Sequence, residues 1–251
     1  MFAENSTHGQ FMQVDGSFLA CSSDVPYYHE LFVHPAMLAH QNPARVLILG
    51  GADGATLREV LRHRTVQEVI VVDRDLELTR RCRLHLPEFH HQAYLDDRCQ
   101  WFGGEPIKIL EQLEGYFDVI FSDLRLLGRQ LAELHSRVCQ RLALGGVFAT
   151  QAGSGVPGPL ENLLECHRQS TGRWKKVCPL VTFVPGLRTL WCFLFNSDTV
   201  QASRLGSSYV NNAIALRDLR GLRNYDGETH ERACHLPRNL REALGKSSSI
   251  R

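Results

Sequence analysis

The glycine-rich segment Gly50–Gly54 carries the residues of this sequence best suited to holding a ligand. It lies between the apolar stretch ARVLILG and the amphipathic stretch ATLREVLRH, which predicts a turn between a strand and a helix. Glycine backbone and helix N-terminal N–H groups can approach a ligand closely there. Asp73 ends the next apolar stretch, twenty residues beyond Asp53, where an acid commonly accepts hydrogen bonds from ribose hydroxyls. These residues predict a nucleoside site; the alternative is a turn that serves packing, with Asp73 capping a strand.

Asp53 narrows the class of ligand. Ala52 and Asp53 interrupt the GxGxxG spacing typical of dinucleotide sites. A carboxylate among the amide donors repels a diphosphate and attracts a cation. The loop therefore suits an adenosyl sulfonium or an amine better than a dinucleotide.

Apolar strands that alternate with amphipathic helices would position these residues. Such alternation indicates an α/β fold with parallel strands covered on both faces, and ligands bind at the carboxyl ends of strands in such sheets. We predict strands at 44–50, 66–73, 99–102, 117–123, 147–151 and 190–195, and helices at 55–63, 76–86, 105–114, 129–142 and 159–170.

The two ends of the chain flank this core. Residues 9–20 predict two short strands around the turn Asp15–Gly16, and residues 27–40 predict a helix with a kink at Pro35. Residues 197–251 are predicted to be mostly helical. We therefore divide the chain into an N-terminal β-strand extension at 1–24, one nucleoside-binding domain at 25–245 and a mobile, Ser-rich tail at 246–251.

Composition limits the class of protein. The 251 residues carry a formal net charge of +1, so no global field favours nucleic acid or a membrane surface. No apolar segment approaches the roughly 20 residues that cross a bilayer, and no signal peptide is predicted. The eight cysteines lack CxxC or zinc-ligand spacing. We expect no metal, and buried free thiols that suit a reducing cytoplasm.

The stretch DVPYYHELFVHPAMLAHQNPARVLILGGADGATLREVLRH, residues 24–63, resembles the spermidine synthases, which are polyamine aminopropyltransferases. The elements YHE, GGxDG and LREV stand at the spacing of that family. Weaker similarity lies in VDG (14–16), FDVIFSD (117–123) and NYDGETHERACHLP (224–237). The resemblance implies a Rossmann-like, methyltransferase-type doubly wound sheet with a small N-terminal β-hairpin, and a homodimer.

The resemblance also implies a reaction. An amine nitrogen attacks the propyl carbon beside the sulfonium of decarboxylated S-adenosylmethionine, the co-substrate, and methylthioadenosine leaves. A free amine has a pKa of about 10.4 and must lose a proton, which a neighbouring carboxylate can accept. The expected acceptor is a small-molecule amine such as putrescine, which would give spermidine.

Site roles follow from the matched motifs. Asp123 falls on the family's catalytic aspartate, although a strand-end aspartate can also be a loop cap. His29 falls on a histidine that touches the polyamine, although a core histidine is the alternative. The donor-binding set is Gly50, Gly51, Asp53, Gly54, Asp73, Gly104 and Glu105. The polyamine-binding set is Tyr28, His29, Asp53, Asp123 and Gln151.

Three departures from the family pattern alter these expectations. We expect the chain to lack the family's N-terminal strand with its nucleoside-contacting glutamine. Gly103–Gly104–Glu105 replaces the family's Gly-Asp motif, which leaves Glu105 as a substitute for the adenine-binding acid. In the segment after Asp123, Leu126 replaces a second aspartate, and Arg125 or Arg129 would repel a diamine.

Two other functions therefore stay open. One is a catalytically impaired binding or regulatory subunit, which would associate with an active paralogue. The other is an S-adenosylmethionine-dependent methyltransferase on the same fold, because a fold does not determine function. Asp53 should repel the extra carboxylate of S-adenosylmethionine, so the choice of donor separates the methyltransferase from the aminopropyltransferase.

Overall fold

The structure of this protein, a computed structural model, describes residues 1–5, 7–14, 17–156, 158 and 160–249. Ten strands lie in those residues, three in a small N-terminal sheet and seven in a large central one. They are β1 (Phe2–Asn5), β2 (Gly9–Val14), β3 (Ser17–Cys21), β4 (Arg45–Leu49), β5 (Glu68–Asp73), β6 (Cys99–Gly103), β7 (Phe117–Ser122), β8 (Leu142–Ser154), β9 (Lys176–Val184) and β10 (Thr189–Ser197).

Helices connect the central strands and cover them. A π-helical turn at Pro26–Glu30 leads into the first α-helix, in place of the single kinked helix predicted at 27–40. The α-helices are α1 (Leu31–Ala39), α2 (Ala55–Leu61), α3 (Leu76–His85), α4 (Pro87–His90), α5 (Pro106–Gln112), α6 (Gly128–Arg141), α7 (Leu160–Thr171), α8 (Ser207–Leu216), α9 (Gly227–Cys234) and α10 (Arg238–Ser249).

The central sheet has the strand order β6-β5-β4-β7-β8-β10-β9. The first five strands are parallel, whereas β10 runs antiparallel to both of its neighbours. The strand order reverses between β4 and β7, the crevice where ligands bind in open α/β sheets. The predicted α/β doubly wound fold is confirmed, with a mostly parallel sheet.

Burial on both faces explains why the central strands are continuously apolar. In β4, Val46 and Ile48 pack in one apolar cluster with Leu57 of α2, and Leu47 and Leu49 pack in another on the opposite face. All four side chains are at most 1% exposed. A strand buried on both faces has no polar face to alternate with, which produces the run RVLIL.

Some elements differ from the sequence prediction. Strands β1 and β9 were not predicted, and β8 is much longer than the predicted 147–151. Strands β2 and β3 match the prediction for 9–20, whereas the turn Asp15–Gly16 lies outside the described residues. Helix α10 continues to Ser249, beyond the predicted domain end at 245. In the part of the chain that is described, no helix has the length and apolarity to cross a membrane.

Candidate active site

The loop after β4 has the shape predicted for Gly50–Gly54. Gly50 and Gly54 have φ values of 87° and 76°, in the left-handed region that favours glycine. A Cβ atom on Gly54 would lie 2.7 Å from atoms of both His90 and Tyr94. The loop therefore needs glycine for both its conformation and its packing. Gly54 faces these two side chains, and it is not among the residues that line the neighbouring cavity.

Asp53 is held by the helix that follows it. Its Oδ1 accepts a hydrogen bond from the Ala55 N–H (2.9 Å) at the start of α2. Its Oδ2 lies 3.9 Å from Nε2 of His29, and its side chain is 13% exposed. The His29 Nδ1 hydrogen-bonds the Thr56 hydroxyl at 3.0 Å, and burial lowers the pKa of His29. The His29 ring therefore lies beside the Asp53 carboxylate, and burial favours the neutral form of the ring.

Asp73 ends β5 beside the same loop. Its Oδ1 accepts a hydrogen bond from the Asp75 N–H (2.9 Å), which fixes the carboxyl at the strand end. The side chain is largely buried, and this burial raises the pKa of Asp73. Asp75 also caps α3, because its Oδ1 accepts from the Leu78 N–H (2.7 Å). Asp73 and Asp75 thus each accept a backbone hydrogen bond, and both line the cavity described below.

Asp123 directly follows β7 and meets Tyr28 of the π-helical turn. The Tyr28 hydroxyl donates a hydrogen bond of 2.5 Å to Asp123 Oδ1, a length typical of a donor bound to a carboxylate. Desolvation raises the pKa of Asp123 to about 7, with Asp53 contributing in the same direction and the Tyr28 hydrogen bond opposing it. Burial and the Asp123 charge raise the pKa of Tyr28 well above its usual value, so Tyr28 stays a donor.

These acids meet in one cavity of about 380 Å³ at the β4–β7 crevice. Seven of the predicted site residues line it: Tyr28, His29, Gly50, Gly51, Asp53, Asp73 and Asp123. Two further acids, Asp24 and Asp75, raise the number of lining carboxylates to five, against two arginines, Arg74 and Arg125. The cavity therefore attracts cations.

Asp24 also lines the cavity and holds a neighbouring turn. Its two carboxylate oxygens accept from the Gly186 N–H at 2.8 and 3.1 Å, which ties the β9–β10 turn to the cavity rim. Trp191 of β10 also lines the cavity, but it was not predicted as a site residue. The available signal is its aromatic side chain within the apolar strand sequence LWCFLF.

The structure leaves four predicted residues outside this cavity. Gly54 faces His90 and Tyr94, as described above. Gly104 follows β6, where its N–H donates to the Asp73 carbonyl, and Glu105 is exposed ahead of α5. Gln151 lines a second cavity instead. Donor or polyamine roles for these four residues stay predictions.

The second cavity, of about 480 Å³, adjoins the first. Leu124, Arg125, Leu187 and Trp191 line both, so they form the shared wall. The Arg125 guanidinium lies 5.6 Å from the centre of the Trp191 ring, within cation–π range. Gln151 donates through Nε2 to the Leu124 carbonyl (3.0 Å), which holds the loop after Asp123 against β8.

No group of three or more potential metal ligands occurs among the described residues. The functional groups that line the first cavity include its carboxylates, the Tyr28 hydroxyl and the backbone of Gly50 and Gly51.

Two known polyamine aminopropyltransferases are similar in sequence to this chain over nearly its whole length. Polyamine aminopropyltransferase 2 of Hyperthermus butylicus is 36% identical over 255 residues, which cover 98% of this chain and 83% of that protein. The polyamine aminopropyltransferase of Sulfurisphaera tokodaii is 32% identical over 259 residues, which cover 100% of this chain and 85% of that protein.

Solved structures share the fold. Spermidine synthase from Thermotoga maritima matches with a TM-score of 0.88 at 24% identity, over 97% of this chain and 82% of that one. A spermidine synthase in complex with the transition-state analogue AdoDATO also has a TM-score of 0.88, at 24% identity, over 98% of this chain and 83% of that one.

Residues 25–203 match the spermine/spermidine synthase domain family. The resemblance found in the sequence is thus confirmed, and the chain belongs to this family of polyamine aminopropyltransferases.

Proposed function

We propose that this protein transfers an aminopropyl group from decarboxylated S-adenosylmethionine to a primary amine, with Asp123 as the catalytic residue. The observation that carries the proposal is the cluster of five carboxylates in the cavity of about 380 Å³ at the β4–β7 crevice. The donor carries a sulfonium and an ammonium, and carboxylates in a partly desolvated cavity favour both. Putrescine, the acceptor expected from the sequence, is the reference amine.

The donor would lie across the ends of three neighbouring strands. The Gly50–Gly51 backbone allows close approach of the nucleoside, and Asp73 accepts hydrogen bonds from its ribose hydroxyls. Asp53 pairs with the ammonium of the propyl arm. S-adenosylmethionine has an extra carboxylate at that position, which the like charge of the Asp53 side chain disfavours.

Asp123 would act on the attacking nitrogen. An amine with a pKa of about 10.4 is neutral in only about one molecule in 2,500 at pH 7. The Asp123 carboxylate accepts a proton from the nitrogen and directs its lone pair at the propyl carbon. The new C–N bond forms as the C–S bond breaks, and the bonding pair of electrons returns to sulfur, which leaves as the neutral thioether of methylthioadenosine. A base whose pKa of about 7 lies near the working pH is well suited to this transfer.

The test measures methylthioadenosine release with decarboxylated S-adenosylmethionine and a panel of amines that includes putrescine. Asp123→Asn should lower kcat by about 100- to 10,000-fold, the usual contribution of a positioned base, while binding of methylthioadenosine persists in calorimetry. Asp97→Asn, at an exposed position outside both cavities, is the matched control. No release with any amine, or tighter binding of S-adenosylmethionine than of its decarboxylated form, would contradict the proposal.

A further inference from the structure

Two adjoining cavities of this protein carry opposite charge. Five aspartates line the first, whereas among the described residues that line the second there is no Asp or Glu. The second cavity has two arginines instead, Arg125 on the shared wall and Arg188 from the β9–β10 turn. A ligand that spans both cavities therefore meets carboxylates at one end and guanidinium groups at the other.

We propose that the second cavity binds the far end of the acceptor and that this end is a carboxylate. The acceptor class is then an ω-amino acid, with its amine at Asp123 and its carboxylate at Arg188 and Arg125, rather than a diamine. This inference rests on the proposed aminopropyl transfer and specifies its substrate.

Arginine is the side chain suited to this task. Its planar guanidinium offers two parallel N–H donors that match the two oxygens of a carboxylate. Arg125 is kept at the shared wall by its stacking over Trp191. Arg188 has a φ of 51°, uncommon for a residue other than glycine, and its N–H donates to the Pro185 carbonyl (3.1 Å). This tight turn thereby places Arg188 at the second cavity.

The wall between the two charged ends is in large part apolar, and it has two buried polar atoms without a hydrogen-bond partner, Gln151 Oε1 and Trp191 Nε1. Leu126, Leu127 and Leu131 line the second cavity and suit the methylene chain of an acceptor. Gln151 is 8% exposed, and its Oε1 has no hydrogen-bond partner.

A diamine fits this arrangement poorly. Its second ammonium would lie beside the guanidinium groups of two exposed residues, Arg125 and Arg188, with no carboxylate among the described lining residues, which is unfavourable in Coulomb energy. Where the resemblance places a second aspartate, the chain has Leu126, which packs in the two apolar clusters beside the cavity. The substitution therefore removes a cation site and builds an apolar wall in its place.

The experiment compares three amines of matched length with the full chain: 1,4-diaminobutane, 1-aminobutane and 4-aminobutanoate. We expect kcat/KM to be at least tenfold higher for 4-aminobutanoate than for the other two. Arg188→Gln should lower its kcat/KM by about 10- to 100-fold, the usual effect of losing a charged hydrogen bond, and leave that of 1-aminobutane within twofold. Arg204→Gln removes the same charge from an exposed residue that lines neither cavity and should change nothing.

Binding gives a second readout that is independent of turnover. Calorimetry of each amine, with the protein saturated by methylthioadenosine, should show the same preference and the same dependence on Arg188. Preferred binding of 4-aminobutanoate without methylthioadenosine release would sink the proposed reaction and keep the assignment of the second cavity. Methylthioadenosine release with 1,4-diaminobutane as the preferred acceptor, unaffected by Arg188→Gln, would keep the reaction and overturn the assignment.

Discussion

The hydrogen bond from Tyr28 to Asp123 gives a direct test of how this site sets the pKa of its base. The phenol donates to the carboxylate over 2.5 Å, and it opposes the desolvation that raises the pKa of Asp123 to about 7. Tyr28→Phe removes the donor and keeps the ring, which packs edge-on against Phe193. The pKa of Asp123 should therefore rise further in the variant.

The size of this rise follows from the hydrogen bond. A hydrogen bond to a charged group contributes about 1.5–3 kcal/mol, and the bond to a protonated carboxyl contributes about 1 kcal/mol. The difference of about 0.5–2 kcal/mol corresponds to about 0.4–1.5 pKa units at 1.36 kcal/mol per unit. The base form of Asp123 is present above its pKa, so activity is lost as the pH falls through it. In Tyr28→Phe we expect this loss to begin near pH 8 instead of pH 7.

The assay is kcat/KM for methylthioadenosine release from pH 5.5 to 9.5, which reports the free enzyme. Dividing the variant by the wild type at each pH cancels the titration of the acceptor amine. This ratio should fall by about 3- to 30-fold between the alkaline plateau and pH 6. Tyr27→Phe, at the adjacent exposed tyrosine outside the cavity, should give a flat ratio. A flat ratio in Tyr28→Phe would refute the assignment of Tyr28 as the group that tunes Asp123.

Two further predictions concern the donor loop and its neighbours. Asp73→Asn should weaken methylthioadenosine binding in calorimetry by about 10- to 150-fold, because a charged hydrogen bond to ribose is lost; an unchanged affinity would remove Asp73 from the donor site. Gly54→Ala should lower the free energy of unfolding in denaturant by about 1–3 kcal/mol more than Gly128→Ala. Both positions have positive φ, but a Cβ at Gly128 meets nothing within 4 Å, so equal losses would show that packing against His90 and Tyr94 does not matter.

Periodicity predicted the part of the site that lies at strand ends. Asp73 and Asp123 end or follow apolar strands, and parallel strands that are buried on both faces produce unmistakable apolar runs. Register then brings the carboxyl ends of β5, β4 and β7 side by side, so residues far apart in sequence could be assigned to one cavity before the structure was known.

Strand β9 illustrates what periodicity could not predict. Pro179 interrupts its sequence and argues against a central strand. In the structure β9 is the edge of the sheet, where a residue without an N–H is tolerated, and Pro179 pairs with Leu194 of β10. Strand β8 begins at Leu142 and passes through Gly145–Gly146, ahead of the predicted start at 147, with an irregular register against β7.

The positive charge of the second cavity could not be predicted from the sequence either, because it also depends on strand β9. Arg188 belongs to the turn between β9 and β10, so a prediction without β9 had no means of placing it beside Arg125. The donor-binding role of Glu105, in contrast, stays a prediction. Its type and proximity to the third strand end suggested a nucleoside contact, but it is exposed ahead of α5 and does not line the first cavity.

The replacement of an aspartate by Leu126 has two possible consequences: an enzyme with weakened diamine binding, or an enzyme that prefers a different acceptor. Loss of one amine-binding carboxylate by itself would weaken a diamine by about 10–150-fold, but it would create no preference for an acceptor with an anionic end. Two guanidinium groups in the same cavity reverse the sign of its charge, which changes that order. An impaired enzyme therefore remains most active with the diamine at a low rate, whereas a redirected one prefers the acceptor with an anionic end. The ranking of acceptors by kcat/KM, rather than the absolute rate with putrescine, is the measurement that separates them.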